Sequence, residues 1–234
     1  MHYAIIAAGE GSRLAQEGVA RPKPLVLLNG VPMIKRLIDI MMSCSPESLS
    51  IIVNEQMTEV REYLEGLTLP VPFHLVVKST PSSMHSFWEV SRSFPARGKF
   101  VLTTVDTIFR REDFRRYVEE FEVSDADGCM AVTSFIDDEK PLYIDVDDNM
   151  RITAFLDTPH EGVKYISGGI YGLTQPALGI LDDCMKRGVS RMRNYQRALV
   201  EGGLNLKACP FSKIVDVDHA GDIATAEQFI SGEN

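Results

Sequence analysis

The chain has 234 residues, 44% of them hydrophobic, with one Trp, seven Tyr and eleven Phe, a globular composition that excludes a disordered or collagen-like chain and is enough for a sizeable core. Lys plus Arg total 24 against 33 Asp plus Glu, a formal net charge of −9, which opposes non-specific attraction to nucleic acid or an anionic membrane and leaves any polyanionic ligand to a local cationic site. Cys44, Cys129, Cys184 and Cys209 form no CxxC pair and read as buried thiols in a reducing compartment; with no signal-like N-terminus and no apolar run near the ~20 residues a bilayer needs, the expectation is a cytoplasmic protein.

Strand-like runs appear at "HYAIIAA", "LSIIV", "FHLVV" and "KFVLTTV", short, β-branched or aromatic, each followed by polar or turn residues. Helical patterns separate them. In "PMIKRLIDIMMS", Ile34, Leu37, Ile38, Met41 and Met42 form one apolar stripe behind Pro32, and "MTEVREYLEGL" and "REDFRRYVEEF" repeat the pattern. Alternating strand and helix predicts an α/β fold with a mostly parallel sheet flanked by helices, whose ligands sit at the carboxyl ends of the strands. After about residue 127 the rhythm changes: "GCMAVTSF", "PLYIDVD", "MRITAFLD" and "VKYISGGIYGL" follow one another as strands, an antiparallel extension of the same sheet. Helices follow at "QPALGILDDCMKR" and "SRMRNYQRALVEG", strands at "LNLKACP" and "KIVDV", and a last helix near "IATAEQFI". No linker or repeat interrupts the chain, so residues 1–234 are expected to form one domain.

The first strand runs into "GEGSR", and "RPKP" follows shortly after. Gly9 and Gly11 let the backbone turn sharply and bring N–H groups close to an anion. The pattern is no P-loop, for it lacks GxxxxGK[ST], and no dinucleotide fingerprint, for Leu14 stands where a third glycine belongs. What remains is a glycine loop flanked by the guanidinium of Arg13 and the ammonium of Lys23, a pair suited to charge building on an attacked α-phosphorus. A surface turn with solvated charges is the plainer alternative for a bare GxG.

"AIIAAGEGSRL…RPKPLVLLNGVPMI" resembles the N-terminal signature of the sugar-phosphate nucleotidyltransferase superfamily, which couples a nucleoside triphosphate to a sugar 1-phosphate or similar phosphate and releases pyrophosphate. Weaker similarity continues through "VLTTVDTIF", "YIDVDDNMRITAFLDTP", "YISGGIYGL" and "VDVDHAGDIATAEQF". The resemblance implies a short Rossmann-like form without a C-terminal β-helix, with residues 1–126 as the nucleotide-binding half and 127–234 as the acceptor half. Ala8, Gly9, Gly11 and Ser12 would then meet the nucleotide phosphates, and Arg13 and Lys23 would stabilise the transition state; Arg21 is left to solvent. Its partners would be a nucleoside triphosphate and a small phosphorylated acceptor, with no nucleic acid and no membrane.

Crowded phosphate charge calls for Mg2+ held by one or two carboxylates. Asp106, which ends the run "KFVLTTV", matches the metal-binding Asp of the family; a helix-capping Asp is the other reading. In "VDVDHAG" only one of Asp216 and Asp218 is expected to face the ligand, and Asp218 fits the family pattern better. His219 would touch the ligand or, on the plainer reading, is a capping or solvated residue. Ser82 and Ser83 in "STPSSM" stand where relatives read the base, and serines there also cap helices; His85 beside them carries no firm role. Gly168 and Gly169 would let a sugar approach the backbone or would mark a bulge. Asp157 in "FLDTP" stands where relatives carry a Glu-Lys pair and would hold an acceptor hydroxyl. Other acceptors are phosphocholine-like alcohol phosphates and a molybdenum cofactor precursor. A catalytically silent nucleotide-binding protein, motivated by the departures at "STPSSM", "FLDTP" and "HAGD", is a rival of a different class.

Overall fold

The computed structural model describes residues 1–136 and 140–232. Its elements are β1 (His2–Ala7), α1 (Ser12–Gln16), a 3-10 turn (Lys23–Leu25), β2 (Leu27–Leu28), β3 (Val31–Pro32), α2 (Met33–Met42), β4 (Ser48–Val53), α3 (Thr58–Glu65), β5 (Phe73–Val77), α4 (Ser83–Ser91), β6 (Lys99–Thr104), β7 (Thr107–Phe109) and α5 (Arg111–Val123). The second half adds β8 (Gly128–Thr133), β9 (Tyr143–Val146), β10 (Ile152–Leu156), β11 (Tyr165–Thr174), α6 (Gln175–Lys186), α7 (Met192–Glu201), β12 (Leu206–Pro210), β13 (Ile214–Asp216) and α8 (Ala220–Ser231).

The main sheet runs β10-β9-β11-β6-β1-β4-β5, and β8 joins it between β11 and β12. β1 pairs in parallel with both β4 and β6, and β4 with β5, so this half is the parallel sheet that the alternation of strand and helix predicts, and as in such sheets its strands are buried on both faces: Ala4, Ile5, Leu49, Ile51, Val101 and Leu102 are fully buried. β11 turns the sheet antiparallel by pairing with β6, β8 and β9. One face of the sheet is covered by a core containing Ile34, Leu37, Ile38 and Met41 of α2 and Phe114, Tyr117 and Phe121 of α5. The other packs Met84, Phe87 and Val90 of α4 against Leu181, Tyr195 and Leu199 of α6 and α7. Among the described residues no helix is long and apolar enough to cross a membrane.

The topology decides where a ligand can sit. From β1 the chain builds outward to β4 and β5, then returns to place β6 on the opposite side of β1. Such a reversal opens a crevice at the carboxyl ends of the strands, and both the glycine loop after β1 and Asp106 after β6 lie there. The main chain ties the two together, Val105 N donating to Ile6 O at 3.0 Å.

The cysteine expectation is corrected. Cys129 on β8 and Cys209 on β12 are joined as a disulfide, while Cys44 and Cys184 are free. The parallel register sets Cys129 beside Lys207 and Cys209 beside Ala131, which puts the two cysteines diagonally on one face with Cα atoms 6.4 Å apart, within disulfide reach. Their separation of 80 residues hides this from any spacing rule, and the four cysteines no longer argue for a reducing compartment.

Candidate active site

Gly11 precedes α1 with φ 63°, a left-handed conformation that favours glycine. A Cβ there would stand 2.8 Å from Lys23 Cβ, so the glycine also makes room for the lysine stem. Lys23, set between Pro22 and Pro24 in the 3-10 turn, is 8% exposed. Its Nζ lies 2.6 Å from Asp106 Oδ2 and 2.6 Å from Asp218 Oδ1. Arg13 Nη1 reaches the second oxygen of Asp218 at 3.1 Å. Residues far apart in sequence, Arg13, Lys23, Asp106 and Asp218, thereby form one alternating charge cluster. Burial works against the Lys23 ammonium, yet the two carboxylates outweigh it and hold its pKa above the ordinary lysine value. Burial likewise works against charge on Asp106, and Lys23 outweighs it, holding that carboxyl below the usual range.

Asp218 is placed from its own backbone. β13 pairs antiparallel with β7, Val217 N then donates to Asp106 O at 3.1 Å, and the N–H groups of Asp218 and His219 donate to Asp222 Oδ2 at 2.9 and 2.6 Å. Glu17, at the end of α1, accepts from Ala220 N at 2.6 Å and contacts His219 Nδ1 at 2.6 Å. The Ala220 N–H first, and His219 after it, keep the Glu17 carboxyl below its ordinary range. His219 thus clasps α1 to the turn that carries Asp218.

A cavity of about 710 Å³ opens beside this cluster, lined by Ala8, Gly9, Gly11, Ser12, Arg13, Lys23, Ser82, Ser83, Asp106 and Asp218 among others. No heavy atom would stand within 4 Å of a Cβ on Gly9, so that stretch of backbone lies open to a ligand. At the far end Ser82 occupies the N-cap position of α4 without a capping hydrogen bond; its Oγ instead lies 2.8 Å from His85 Nδ1 and accepts from Arg191 N at 3.2 Å. Arg21 and His85 are not among the lining residues.

A second cavity of about 360 Å³ shares Ser83, Thr104, Asp106 and Asp218 with the first and continues to Gly169, Tyr171, Arg191, Arg193, Gln196 and Asp216. The expectation that only one of Asp216 and Asp218 faces the site is corrected: both line this cavity. Residues two apart on a strand share a face; Asp216 ends β13, and Asp218 continues the same side toward Lys23. Gly169, at φ 71°, leaves no room for a Cβ, which would meet Thr107 Oγ1 at 2.6 Å. Gly168 is not among the lining residues; a Cβ there would run into Ile214 Cδ1, so it serves packing where the β11–β8 register shifts. Asp157 also stands outside the lining. Its Oδ1 accepts from Arg193 Nη1 at 2.9 Å and pairs with Arg197 Nη2 at 2.7 Å.

Sequence reading passed over Arg191, Arg193 and Gln196, whose segment "SRMRNYQR" looks like the solvated face of a helix. It also passed over Asn54, 7% exposed at the cavity wall, whose Oδ1 accepts from Gln56 N and Ser79 Oγ at 2.9 and 3.0 Å. A polar residue directly after the buried strand "LSIIV" was the available signal for Asn54.

Comparison with known proteins bears on this arrangement. The family model of the MobA-like NTP transferase domain matches residues 3–164. The 2-aminoethylphosphonate cytidylyltransferase of Lancefieldella rimae is 32% identical over 89 residues, 37% of this chain and 36% of that protein. The CMP-5'-(3-aminopropyl)phosphonate synthase of Streptomyces rubellomurinus is 26% identical over 156 residues, 58% of this chain and 24% of that protein; the chain spans well under two thirds of either relative. Among solved structures, the inositol-1-phosphate CTP transferase from T. maritima shares the fold with a TM-score of 0.83 at 18% identity, covering 98% of this chain and 94% of that one. With a family match over most of its length, and with the glycine loop, Lys23 and Asp106 all inside the matched stretch, the chain belongs to the MobA-like NTP transferase domain family.

Proposed function

We propose that the protein transfers a cytidylyl group from CTP to the phosphate or phosphonate of a small polar acceptor, sugar 1-phosphates among the candidates, and releases pyrophosphate. The observation that carries this is the Arg13–Asp218–Lys23–Asp106 cluster, set between two contiguous cavities and beside an open glycine loop. The choice of cytidine leans on the names of the relatives above. In this reading residues 1–126 bind the nucleotide and residues 127–234 the acceptor.

Backbone N–H groups of Ala8, Gly9, Gly11 and Ser12 cradle the triphosphate, and Ser82 and Ser83 face the nucleoside. An oxygen of the acceptor's phosphoryl group attacks the α-phosphorus in line; a new P–O bond forms there, the α,β-bridging P–O bond breaks, and its electron pair leaves with pyrophosphate. Arg13 and Lys23 face the charge that builds on the α-phosphoryl oxygens, the stage at which fixed cations contribute most. The oxygens of Asp106 and Asp218 converge on one nitrogen, each at 2.6 Å, and among the described residues no cluster of three or more His, Cys, Asp or Glu forms a closed metal cage. That donor set fits Mg2+, which uses one or two carboxylates and completes its shell with water and substrate phosphates. When bound, the ion would neutralise triphosphate charge.

The test is pyrophosphate release from the purified protein with Mg2+, each of the four nucleoside triphosphates, and 2-aminoethylphosphonate, inositol 1-phosphate, glucose 1-phosphate or phosphocholine. The expected result is turnover with at least one acceptor and CTP preferred about tenfold or more in kcat/KM, the discrimination a site that hydrogen-bonds the base readily reaches. No pyrophosphate from any combination overturns transfer and favours the silent nucleotide binder; preference for another triphosphate overturns the cytidine assignment alone.

A further inference from the structure

We infer that Arg191 and Arg193 form the subsite for the acceptor's phosphoryl or phosphonyl group, and that Asp157 is the positioning residue that aims Arg193; the inference deepens the transfer reading above and rests on it. Both arginines line the second cavity, which reaches Asp106 and Asp218 of the nucleotide site. An attacking phosphoryl group must stand between the two, so a cationic wall there has the right place and the right sign.

The local build is costly and specific. Arg191 precedes α7 with φ 71° and ψ 139°, a conformation L side chains seldom adopt and one that persists where the surroundings dictate it. Its N–H is spent on Ser82 Oγ at 3.2 Å, which fastens the start of α7 to the wall of the nucleotide cavity. Among the described residues its guanidinium meets no acceptor, and it is exposed at the cavity. Arg193 is fixed instead: Nη1 donates to Asp157 at 2.9 Å and Nη2 to Lys140 O at 2.9 Å. A guanidinium has five N–H donors, so these contacts orient it and leave others to face the cavity. Asp157 also pairs with Arg197 at 2.7 Å; one carboxylate between two guanidinium groups leaves this corner positive. Of the three acids that line the cavity, Asp106, Asp216 and Asp218, Asp106 and Asp218 are already matched by Lys23 and Arg13.

Asp157 therefore acts through Arg193 and does not hold an acceptor hydroxyl itself. A plain structural role for the arginines, clamping α7 to β10, predicts changes in stability alone. The subsite predicts changes confined to the acceptor.

The experiment measures KM for CTP and for 2-aminoethylphosphonate, glucose 1-phosphate, inositol 1-phosphate and phosphocholine, together with calorimetric binding of the same four compounds, on the full chain and its variants. Arg193→Ala is expected to raise the KM and Kd of the accepted compound about 30-fold or more, the loss of a charge-assisted pair of hydrogen bonds, with KM for CTP within about twofold. Arg193→Lys should recover part of this. Arg191→Gly removes the guanidinium and relieves the backbone, so acceptor affinity should fall about tenfold while Tm holds or rises. Asp157→Asn should cost about three- to tenfold and add little on top of Arg193→Ala, as two changes at one interaction do. Unchanged acceptor KM and Kd in Arg193→Ala and Arg191→Gly overturn the subsite; full additivity of Asp157→Asn with Arg193→Ala overturns the positioning role. A wild-type protein that binds none of the four compounds overturns it as well. Binding that Arg193→Ala weakens, without any pyrophosphate release, supports the subsite while overturning the transfer reading.

Discussion

Gly9 and Gly11 are two residues apart in one loop, and the structure assigns them different reasons for being glycine, which a pair of alanine substitutions separates. Gly11 has φ +63°, and a Cβ on it would stand 2.8 Å from Lys23 Cβ. The left-handed conformation costs an alanine about 1–2 kcal/mol, and an overlap against the stem of a lysine confined between Pro22 and Pro24 adds about 1–3 kcal/mol. Gly11→Ala should therefore lose about 2–5 kcal/mol. At about 2–4 °C per kcal/mol for a chain of this size, its Tm should fall by roughly 4–20 °C. The same overlap pushes Lys23 off the position where its Nζ sits 2.6 Å from two carboxylates. A shift of several tenths of an ångström at a transition-state cation should lower kcat about 10- to 100-fold.

Gly9 has no left-handed φ, and a Cβ on it would meet no heavy atom within 4 Å, so Gly9→Ala should leave the fold within about 0.5 kcal/mol of wild type. If its backbone meets phosphate, the new methyl should raise KM for the triphosphate all the same. Differential scanning fluorimetry and a coupled pyrophosphate assay read both quantities on both variants. Gly11→Ala with the Tm and kcat of wild type, or Gly9→Ala with a Tm as low as that expected for Gly11→Ala, refutes the reasoning.

Four further outcomes are expected. Arg13→Ala and Lys23→Ala should each lower kcat about 10²-fold or more, and wild-type turnover in both removes them from the mechanism. Lys23→Ala also takes away what holds the Asp106 carboxyl below the usual range while burial still pushes it up; wild-type stability from this pair is lost as pH falls through the depressed Asp106 pKa, whereas the variant should regain stability on acidification, and a Tm series against pH that moves the same way in both proteins sinks the argument. Asp106→Asn and Asp218→Asn should abolish Mg2+-dependent turnover while Asp216→Asn spares it, and turnover that persists in EDTA rules out a metal site. Replacing Cys129 and Cys209 together by Ser should cost about 2–5 kcal/mol for a crosslink that closes so long a loop, and a thiol titration of the denatured, unreduced protein that counts four thiols contradicts the disulfide.

How far the sequence could be read depended on whether a feature was local. "YAIIA", "LSIIV" and "KFVLTT" are continuous apolar runs because β1, β4 and β6 are buried on both faces, and a carboxylate at the end of such a run, Asp106, stands out at once. The glycine loop and Lys23 were legible for the same reason: strand, turn and cation follow within a short stretch. Features that depend on two distant segments meeting were not. The Cys129–Cys209 pair needs the β8–β12 register, and Asp157 meets its two arginines only once α7 lies along β10. Neither partner carries a mark of the other.

The same distinction explains how the site is held together. The glycine loop follows the first strand, but Asp218, the charge partner of the neighbouring Lys23, lies just after the last strand, 195 positions beyond it. That partnership depends on β13 pairing with β7 beside Asp106 and on Glu17 clasping His219 and Ala220. Arg13 and Lys23 both come from the first segment of the chain, and on their own they would attract anions indiscriminately. Asp218, brought from the other end, engages both cations, and Arg191 N is fastened to Ser82 between the linings of the two cavities; in the transfer reading proposed above, the charge is therefore fixed only when the walls that would use it are already in place.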